Sequence, residues 1–155
     1  MSEMDRILSV MAAALEVDAL SDAVARGDLE RVRGLLEDGA DPNAANSSKR
    51  TAIQVMMMDD ARMAQLLLDY SANPNVPDPD SGRFPAHDAA QQGFLDTLIV
   101  LLNGKAHIHI PDRTGRLPLD LAPDHIVAAL QSLGIVSDSE KHIMQETMEP
   151  MIRLH

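Results

Sequence analysis

The chain repeats itself at intervals of 32 to 33 residues, and this feature constrains its fold more than any other. Gly39-Ala40-Asp41-Pro42-Asn43 is followed 32 residues later by Ser71-Ala72-Asn73-Pro74-Asn75. Three similar segments begin with an arginine, at Arg50, Arg83 and Arg116, and these lie 33 residues apart. A repeat of this length forms one supersecondary unit, which cannot bury its apolar face alone. Consecutive units must therefore stack on one another.

The third unit shows what one repeat contains. Pro85 suits the first position of a helix, where its missing N–H needs no partner, and Gly93 suits the left-handed residue that ends one. A second helix is indicated by leucines at spacings of three and four, namely Leu95, Leu98, Leu101 and Leu102. The period and this content are typical of the ankyrin repeat. We therefore predict an all-α ankyrin-repeat solenoid of four helix–turn–helix repeats with β-hairpin-like loops.

The second and third repeats depart from the common pattern. In the second, residues 56–60 (Met-Met-Met-Asp-Asp) replace the alanine-rich stretch and the terminating glycine, which predicts a short first helix. In the third, Lys105 stands where the first repeat has Gly39. Because this position favours a left-handed backbone, we expect mild strain at Lys105.

The fourth repeat is truncated, because Leu121-Ala122 runs directly into Pro123. We expect Asp124 to cap a helix over 126–133, with Gly134 at its end. The predicted repeats span residues 20–46, 47–79, 80–112 and 113–134.

The two ends of the chain lie outside the repeats. Residues 1–19 are predicted to form a helical extension that docks on the first repeat. Its apolar stretch lacks the basic start of a signal peptide. Residues 135–155 are expected to form a flexible tail. The alternative is that the tail folds back as a cap through Ile143, Met144, Met148 and Ile152.

Composition narrows the class of function. The formal net charge of −11 argues against nucleic acid and anionic lipid as partners and favours a basic protein surface. No cysteine is present, which excludes a disulfide scaffold and a cysteine-based zinc site. No apolar run approaches the ~20 residues that span a bilayer. We expect a protein of the cytoplasm or nucleus.

Two strings resemble one particular family. Residues 53–58 (Ile-Gln-Val-Met-Met-Met) and residues 87–98 (His-Asp-Ala-Ala-Gln-Gln-Gly-Phe-Leu-Asp-Thr-Leu) closely resemble the ankyrin-repeat inhibitors of the D-type-cyclin-dependent kinases, kinases four and six. The triple methionine and the four-repeat length resemble the A/B tumour-suppressor type within that family. Residues 115–122 extend the resemblance, which covers roughly residues 20–130.

The resemblance implies a function. It implies a protein-binding inhibitor of kinases four and six that blocks cyclin D-dependent activity and progression from G1 to S. Such a protein is not an enzyme, needs no cofactor, and is a monomer when free and a heterodimer with the kinase. The alternative is a generic ankyrin scaffold that binds proteins without inhibiting a kinase.

The resemblance also implies a binding patch on the concave face of repeats two and three. Carried over by position, its residues are Gln54, Val55, Met57, Met58, Asp78, Asp88, Phe94 and Asp96, with His87 supporting the loop. The chain departs from better-known members at Gln91, which replaces a basic residue, at Lys105, and in its short fourth repeat.

Structural interpretations compete with these assignments. Asp88 is either a contact for a kinase arginine or a residue that caps or solvates its helix. Three consecutive methionines cannot all point inward, since neighbours on a helix are ~100° apart, so at least one of residues 56–58 should face outward. Phe94 is equally consistent with a place in the core between repeats.

Two histidine patterns invite other functions. His107 and His109 alternate, but no third ligand lies at the spacing of a metal motif, so we predict no metal site. His87 next to Asp88 suggests acid–base chemistry, but no nucleophile, phosphate-binding or cofactor motif accompanies the pair.

Overall fold

A computed structural model describes residues 2–136 as eight α-helices joined by turns and loops. The helices are α1 (Glu3–Arg26), α2 (Leu29–Glu37), α3 (Ala52–Val55), α4 (Ala61–Asp69), α5 (Pro85–Gln92), α6 (Leu95–Asn103), α7 (Pro118–Leu121) and α8 (Asp124–Ser132). No β-strand occurs between residues 2 and 136. The predicted all-α class is confirmed.

The helices form two layers of a stack. The first helices of adjacent repeats contact each other, α1 with α3 and α5 with α7, and the second helices do likewise, α2 with α4 and α4 with α6. Each first helix of repeats one to three also contacts the second helix of its own repeat. These contacts define four repeats, and the predicted ankyrin solenoid is confirmed.

Apolar side chains from both layers form one continuous core. Its largest fully buried members are Leu20, Ile53, Met63, Leu67, Leu98, Leu101 and Leu130. Ala86, Ala89 and Ala90 of α5 are also fully buried, and their small side chains let neighbouring helices approach closely. The low aromatic content therefore suits the fold, because tightly spaced helices leave little room for rings.

Three of the first helices begin with the same hydrogen bond made by different side chains. In each, the third helical residue reaches back to accept a bond from the backbone N–H of the capping residue. The donor–acceptor pairs are Thr51–Gln54 at 2.7 Å, Phe84–His87 at 3.1 Å and Leu117–Asp120 at 2.8 Å. Each pair satisfies a backbone donor that the helix itself leaves without a partner.

The loops between repeats are bridged by asparagine side chains. The Asn43 amide donates to the carbonyl oxygen of Ser71 at 2.9 Å and accepts from the N–H of Asn73 at 2.6 Å. One repeat later, Asn75 donates to the carbonyl oxygen of Lys105 at 3.1 Å and accepts from the N–H of His107 at 2.8 Å. The repeated asparagines thus join consecutive loops.

The first helices of repeats two and three differ in length. Helix α3 has four residues, and the chain becomes extended at Met56, whose φ is −64° and ψ is 155°. Helix α5 has eight residues and ends at Gly93 in the left-handed conformation, with φ of 76°. The predicted short helix of the second repeat is confirmed. Lys105 also has a positive φ of 70°, which confirms the expected strain.

The fourth repeat is short in its first helix only. Helix α7 has four residues, as α3 does, and the second helix α8 has nine. The prediction that Asp124 caps this helix is wrong. Asp124 is its first residue, and the capping position is occupied by Pro123, whose side chain has no hydrogen-bonding atom. The carbonyl oxygen of Pro123 accepts from the N–H of Ile126.

The predicted extension and the first helix of the first repeat form one continuous 24-residue helix, α1. Residues 2–12 are exposed, so the predicted docking of the extension on the first repeat is wrong for this part of it. Asp18, also in the predicted extension, accepts a hydrogen bond from the N–H of Ser47 at 3.1 Å. The apolar residues Met4, Ile7, Leu8, Met11 and Leu15 of the extension are 49–71% exposed. The helix runs past the stacked helices, and its first half therefore has little of the stack to pack against.

At the other end, Ile135 and Val136 pack against the core, although both belong to the predicted tail. The remainder of that tail, with the four residues of the alternative cap, lies outside the described residues. Among the helices of residues 2–136, none is long and apolar enough to cross a membrane.

Candidate partner-binding surface

The predicted binding residues of the second repeat lie in α3 and just after it, and the remaining ones lie around the two ends of α5. Asp78 lies in the loop that precedes the helix, and Asp88 lies in its first turn. Phe94 and Asp96 follow its other end, at the start of α6. An eight-residue helix is about 12 Å long, so the residues before α5 and those after it are separated by about that distance along the helix axis.

Asp78 is held by three donors in the loop before α5. Its carboxylate accepts from the backbone N–H of Asp80 at 2.8 Å and of Ser81 at 3.1 Å, and from Nε of Arg50 at 3.0 Å. Burial by itself raises the pKa of Asp78, but these hydrogen bonds outweigh it and lower the pKa below its usual value. Asp78 therefore remains charged and links the second repeat to the loop that follows it.

Asp88 is paired with an arginine of its own repeat. Nε of Arg83 donates to its carboxylate at 3.0 Å, and Nη2 of the same arginine donates to the side-chain oxygen of Gln91. The side chain of Asp88 is 41% exposed and that of Arg83 is 18% exposed. Burial raises the pKa of Asp88 and outweighs the opposite effect of Arg83.

His87 is fully buried and joins the third repeat to the fourth. Its Nδ1 accepts from the N–H of Phe84, which leaves the proton on Nε2 to donate to the carbonyl oxygen of Arg116 at 2.9 Å. Burial lowers the pKa of His87, so the ring is neutral in this site. Its contribution to a binding surface would be indirect, through the loop that it holds.

Gln54 occupies the same position in the second repeat and has a similar role. It accepts from the N–H of Thr51 through Oε1 and donates through Nε2 to the carbonyl oxygen of Val76 at 3.1 Å. Val55, beside it, is half-buried against the core. Both residues therefore lie partly within the packing between the second repeat and the following loop.

The three methionines have three different environments. Met56 is buried, Met58 is half-buried against the core and Met57 is 46% exposed. The expectation that at least one faces outward is confirmed by Met57. Its terminal methyl group lies against Gly27, where an added Cβ would come within 2.8 Å of it. The glycine that ends α1 thus makes room for Met57 at the surface.

Phe94 and Asp96 line a depression of about 210 Å³ between the turns of repeats two and three. Asp59, from the turn of the second repeat, lies on its other side. Phe94 is half-buried, so its ring is neither a full core residue nor fully exposed. Asp96 is exposed in the first turn of α6, where a negative charge is favourable.

Sequence reasoning missed the arginines that hold the acidic residues. Arg50 pairs with Asp78, and Arg83 pairs with Asp88. The signal was present in the 33-residue repeat of Arg50, Arg83 and Arg116, but the spacing does not indicate which carboxylate each arginine binds. His107 and His109 are both exposed, and residues 2–136 contain no group of three or more possible metal ligands.

Comparison with known proteins agrees with this architecture. A family model described as ankyrin repeats (3 copies) matches residues 20–122. The chain is 54% identical over 107 residues to cyclin-dependent kinase 4 inhibitor B of Homo sapiens, which is 69% of this chain and 78% of that protein. The chain belongs to the ankyrin-repeat family of cyclin-dependent kinase inhibitors.

Two further relatives support this membership. Cyclin-dependent kinase inhibitor 2A of Homo sapiens is 55% identical over 107 residues, 69% of each chain. The protein of the same name from Monodelphis domestica is 50% identical over 115 residues, 72% of this chain and 67% of its own length. The paired acidic residues Asp78 and Asp88 and the exposed Met57 thus belong to a chain whose relatives are named as kinase inhibitors.

Proposed function

We propose that this chain binds cyclin-dependent kinases four and six and inhibits their cyclin D-dependent activity, and so restrains progression from G1 to S. The support is the 50–55% identity, over 107 to 115 residues, to proteins named as an inhibitor of cyclin-dependent kinase 4 or as cyclin-dependent kinase inhibitors. The inhibition acts by binding, without chemistry of its own. The free protein is a monomer of the cytoplasm and nucleus, and it forms a heterodimer with the kinase.

The binding surface consists of an apolar part and an acidic part. Met57 provides a large, flexible side chain that is already exposed, and such side chains adapt well to a partner surface. Asp78, Asp88 and Asp96 provide carboxylates, and a chain with a net charge of −11 attracts a basic partner surface. Gln54, Val55, Met58, His87 and Phe94 are half-buried or buried, and they support these exposed groups.

The apolar part is tested by comparing two exposed methionines. Met57→Gln should weaken binding of the kinase about tenfold, measured by calorimetry, because it removes an apolar side chain from the interface. Met11→Gln is the matched control, since Met11 is 56% exposed but lies in the first half of α1, outside the proposed surface. Equal weakening by both substitutions would show that Met57 makes no specific contact with the kinase.

The acidic part is tested in the same way. Asp88→Asn should weaken binding about tenfold, as expected for a lost charge-assisted hydrogen bond. Asp38→Asn changes the net charge equally but lies at the end of α2, in the first repeat, and should leave binding unchanged. A folded protein that neither binds kinase four nor reduces its activity would instead be an ankyrin scaffold for another partner.

A further inference from the structure

The carboxylate of Asp88 already has a cationic partner within the chain. The guanidinium of Arg83 binds it at 3.0 Å, and a further N–H of the same group is held by Gln91. Arg83 is thus fixed at two points, one on each of two successive turns of α5. Any cationic side chain of a partner must share this carboxylate with Arg83 or displace it.

The three arginines of the 33-residue repeat make different contacts. Arg50 reaches to the next loop, where it binds Asp78 and Asp80. Arg116 binds Asp112 and Thr114 of its own loop. Of these three arginines, Arg83 is the one whose carboxylate partner, Asp88, lies on the first helix of a repeat and belongs to the predicted contact surface. Its contacts are local to one repeat, so its loss should affect the stacking little.

We propose that Arg83 is an intramolecular competitor that limits how strongly the Asp88 carboxylate binds a cationic side chain of the kinase. This inference rests on the proposed function and adds a determinant of affinity to it. Two physical effects act in the same direction. The hydrogen bond from Arg83 must be weakened when a second cation arrives, and the positive charge of Arg83 repels that cation in a partly buried site.

Gln91 strengthens the competition. Its side-chain oxygen accepts a hydrogen bond from Nη2 of Arg83. The guanidinium makes this second hydrogen bond when it lies along α5 beside Asp88. A basic residue at position 91 would lack this acceptor and would repel Arg83. Gln91 therefore holds Arg83 over the carboxylate, and it acts on the partner only through Arg83.

The test is the binding of purified kinase four to four variants of the full chain, measured by calorimetry. Arg83→Gln should bind about three- to tenfold more tightly than the original protein, because the partly exposed ion pair between Arg83 and Asp88 no longer competes with the kinase. Arg116→Gln changes the net charge equally but leaves Asp88 paired, and it should bind as the original does. Circular dichroism checks that each variant remains folded.

A double variant separates a local effect from a general one. In the Asp88→Asn background, Arg83→Gln should no longer tighten binding, since there is no carboxylate left to release. Unchanged or weaker binding by Arg83→Gln, or the same tightening in both backgrounds, would overturn the inference while the proposed function stands. Absence of binding by the original chain and by Arg83→Gln alike would overturn both. Binding by Arg83→Gln alone would support the competition in its strongest form.

Discussion

The second and third repeats both bury the start of their first helices, although these helices differ in length. Helix α3 ends after four residues and α5 after eight, yet Ala52 and Ile53 are as fully buried as Ala86 and His87. The first turn of the helix is thus enough to hold a repeat in the stack. In the second repeat, the residues released from the helix place Met57 at the surface.

The longer helix of the third repeat has a different use. Its additional turn carries Gln91, and its first turn carries Asp88, so both can bind the one arginine that precedes the helix. Gly93 then ends the helix in a conformation that favours glycine. In the second repeat, the early end of α3 leaves the apolar side chain of Met57 exposed. In the third, the continued helix α5 holds the charged pair of Asp88 and Arg83.

The largest expected effect tests whether the two repeats are equally well packed. Leu67 of α4 and Leu101 of α6 are both fully buried in the second layer. Each change to alanine should cost about 2–5 kcal/mol of unfolding free energy, from lost apolar burial and the cavity that remains. Denaturant titration measures both. A cost below about 1 kcal/mol at Leu67 alone would mean that the short helix leaves its repeat loosely packed.

A smaller effect distinguishes Gln54 from His87, which occupy the same helical position. His87→Ala should cost about 2–3 kcal/mol, because it leaves the N–H of Phe84 and the carbonyl of Arg116 without partners in a buried site. Gln54→Ala should cost less, about 1 kcal/mol, since Gln54 is only half-buried and water can replace it. Thermal unfolding of the two variants measures this difference. A lower melting temperature for Gln54→Ala than for His87→Ala would contradict the expected order.

The same position predicts a dependence on pH in the third repeat only. Burial lowers the pKa of His87 below 6.5 in the folded state, so the unfolded chain binds a proton more readily. This contribution to stability is present in full above about pH 6.5 and is lost as the pH falls from there towards the lowered pKa. His87→Gln, which introduces the residue of the second repeat, should reduce this loss between pH 6.5 and 5. An identical pH profile for both proteins would assign the loss to other groups.

The smallest effect concerns the position two residues after the second helix of each of the first three repeats. Gly39, Ser71 and Lys105 occupy this position in successive repeats, and all have positive φ. Lys105→Gly and Ser71→Gly should each stabilise the protein by about 0.5–1 kcal/mol, because relief of left-handed strain exceeds the entropy cost of glycine. Chemical denaturation provides the measurement, and Gly39→Ala should move it in the opposite direction. A loss of stability in Lys105→Gly would show that the lysine side chain makes a stabilising contact.

Much of the fold was predictable because it depends on short-range pattern. The 33-residue period, the prolines and glycines at helix ends and the leucine spacing predicted four stacked repeats and the short α3. The cap of α8 was not predictable from Asp124 alone, since a proline one residue earlier can begin the helix as well. The exposed first half of α1 was missed because an apolar segment does not by itself reveal whether a neighbour lies beside it.

The candidate site was less predictable than the fold. Its residues came from resemblance to a family, and which of them lie near one another across the second and third repeats depends on how those repeats stack. The pairs Arg50–Asp78 and Arg83–Asp88 are separated by 28 and 5 residues, and neither spacing corresponds to a turn of one helix. The first pair depends on how consecutive loops lie in the stack, and the second depends on the path of the chain into α5. Neither is specified by a helical spacing.

The asparagine bridges between loops have a consequence for self-association. A side-chain amide can both donate and accept, as a peptide group can, so Asn43 and Asn75 join neighbouring loops without forming a β-sheet. A sheet built along these loops would end in an edge strand, whose unpaired backbone groups invite another chain to add to it. Within residues 2–136 no such strand exists. The loops are therefore tied together at fixed points by side chains rather than through a continuous row of paired backbone groups.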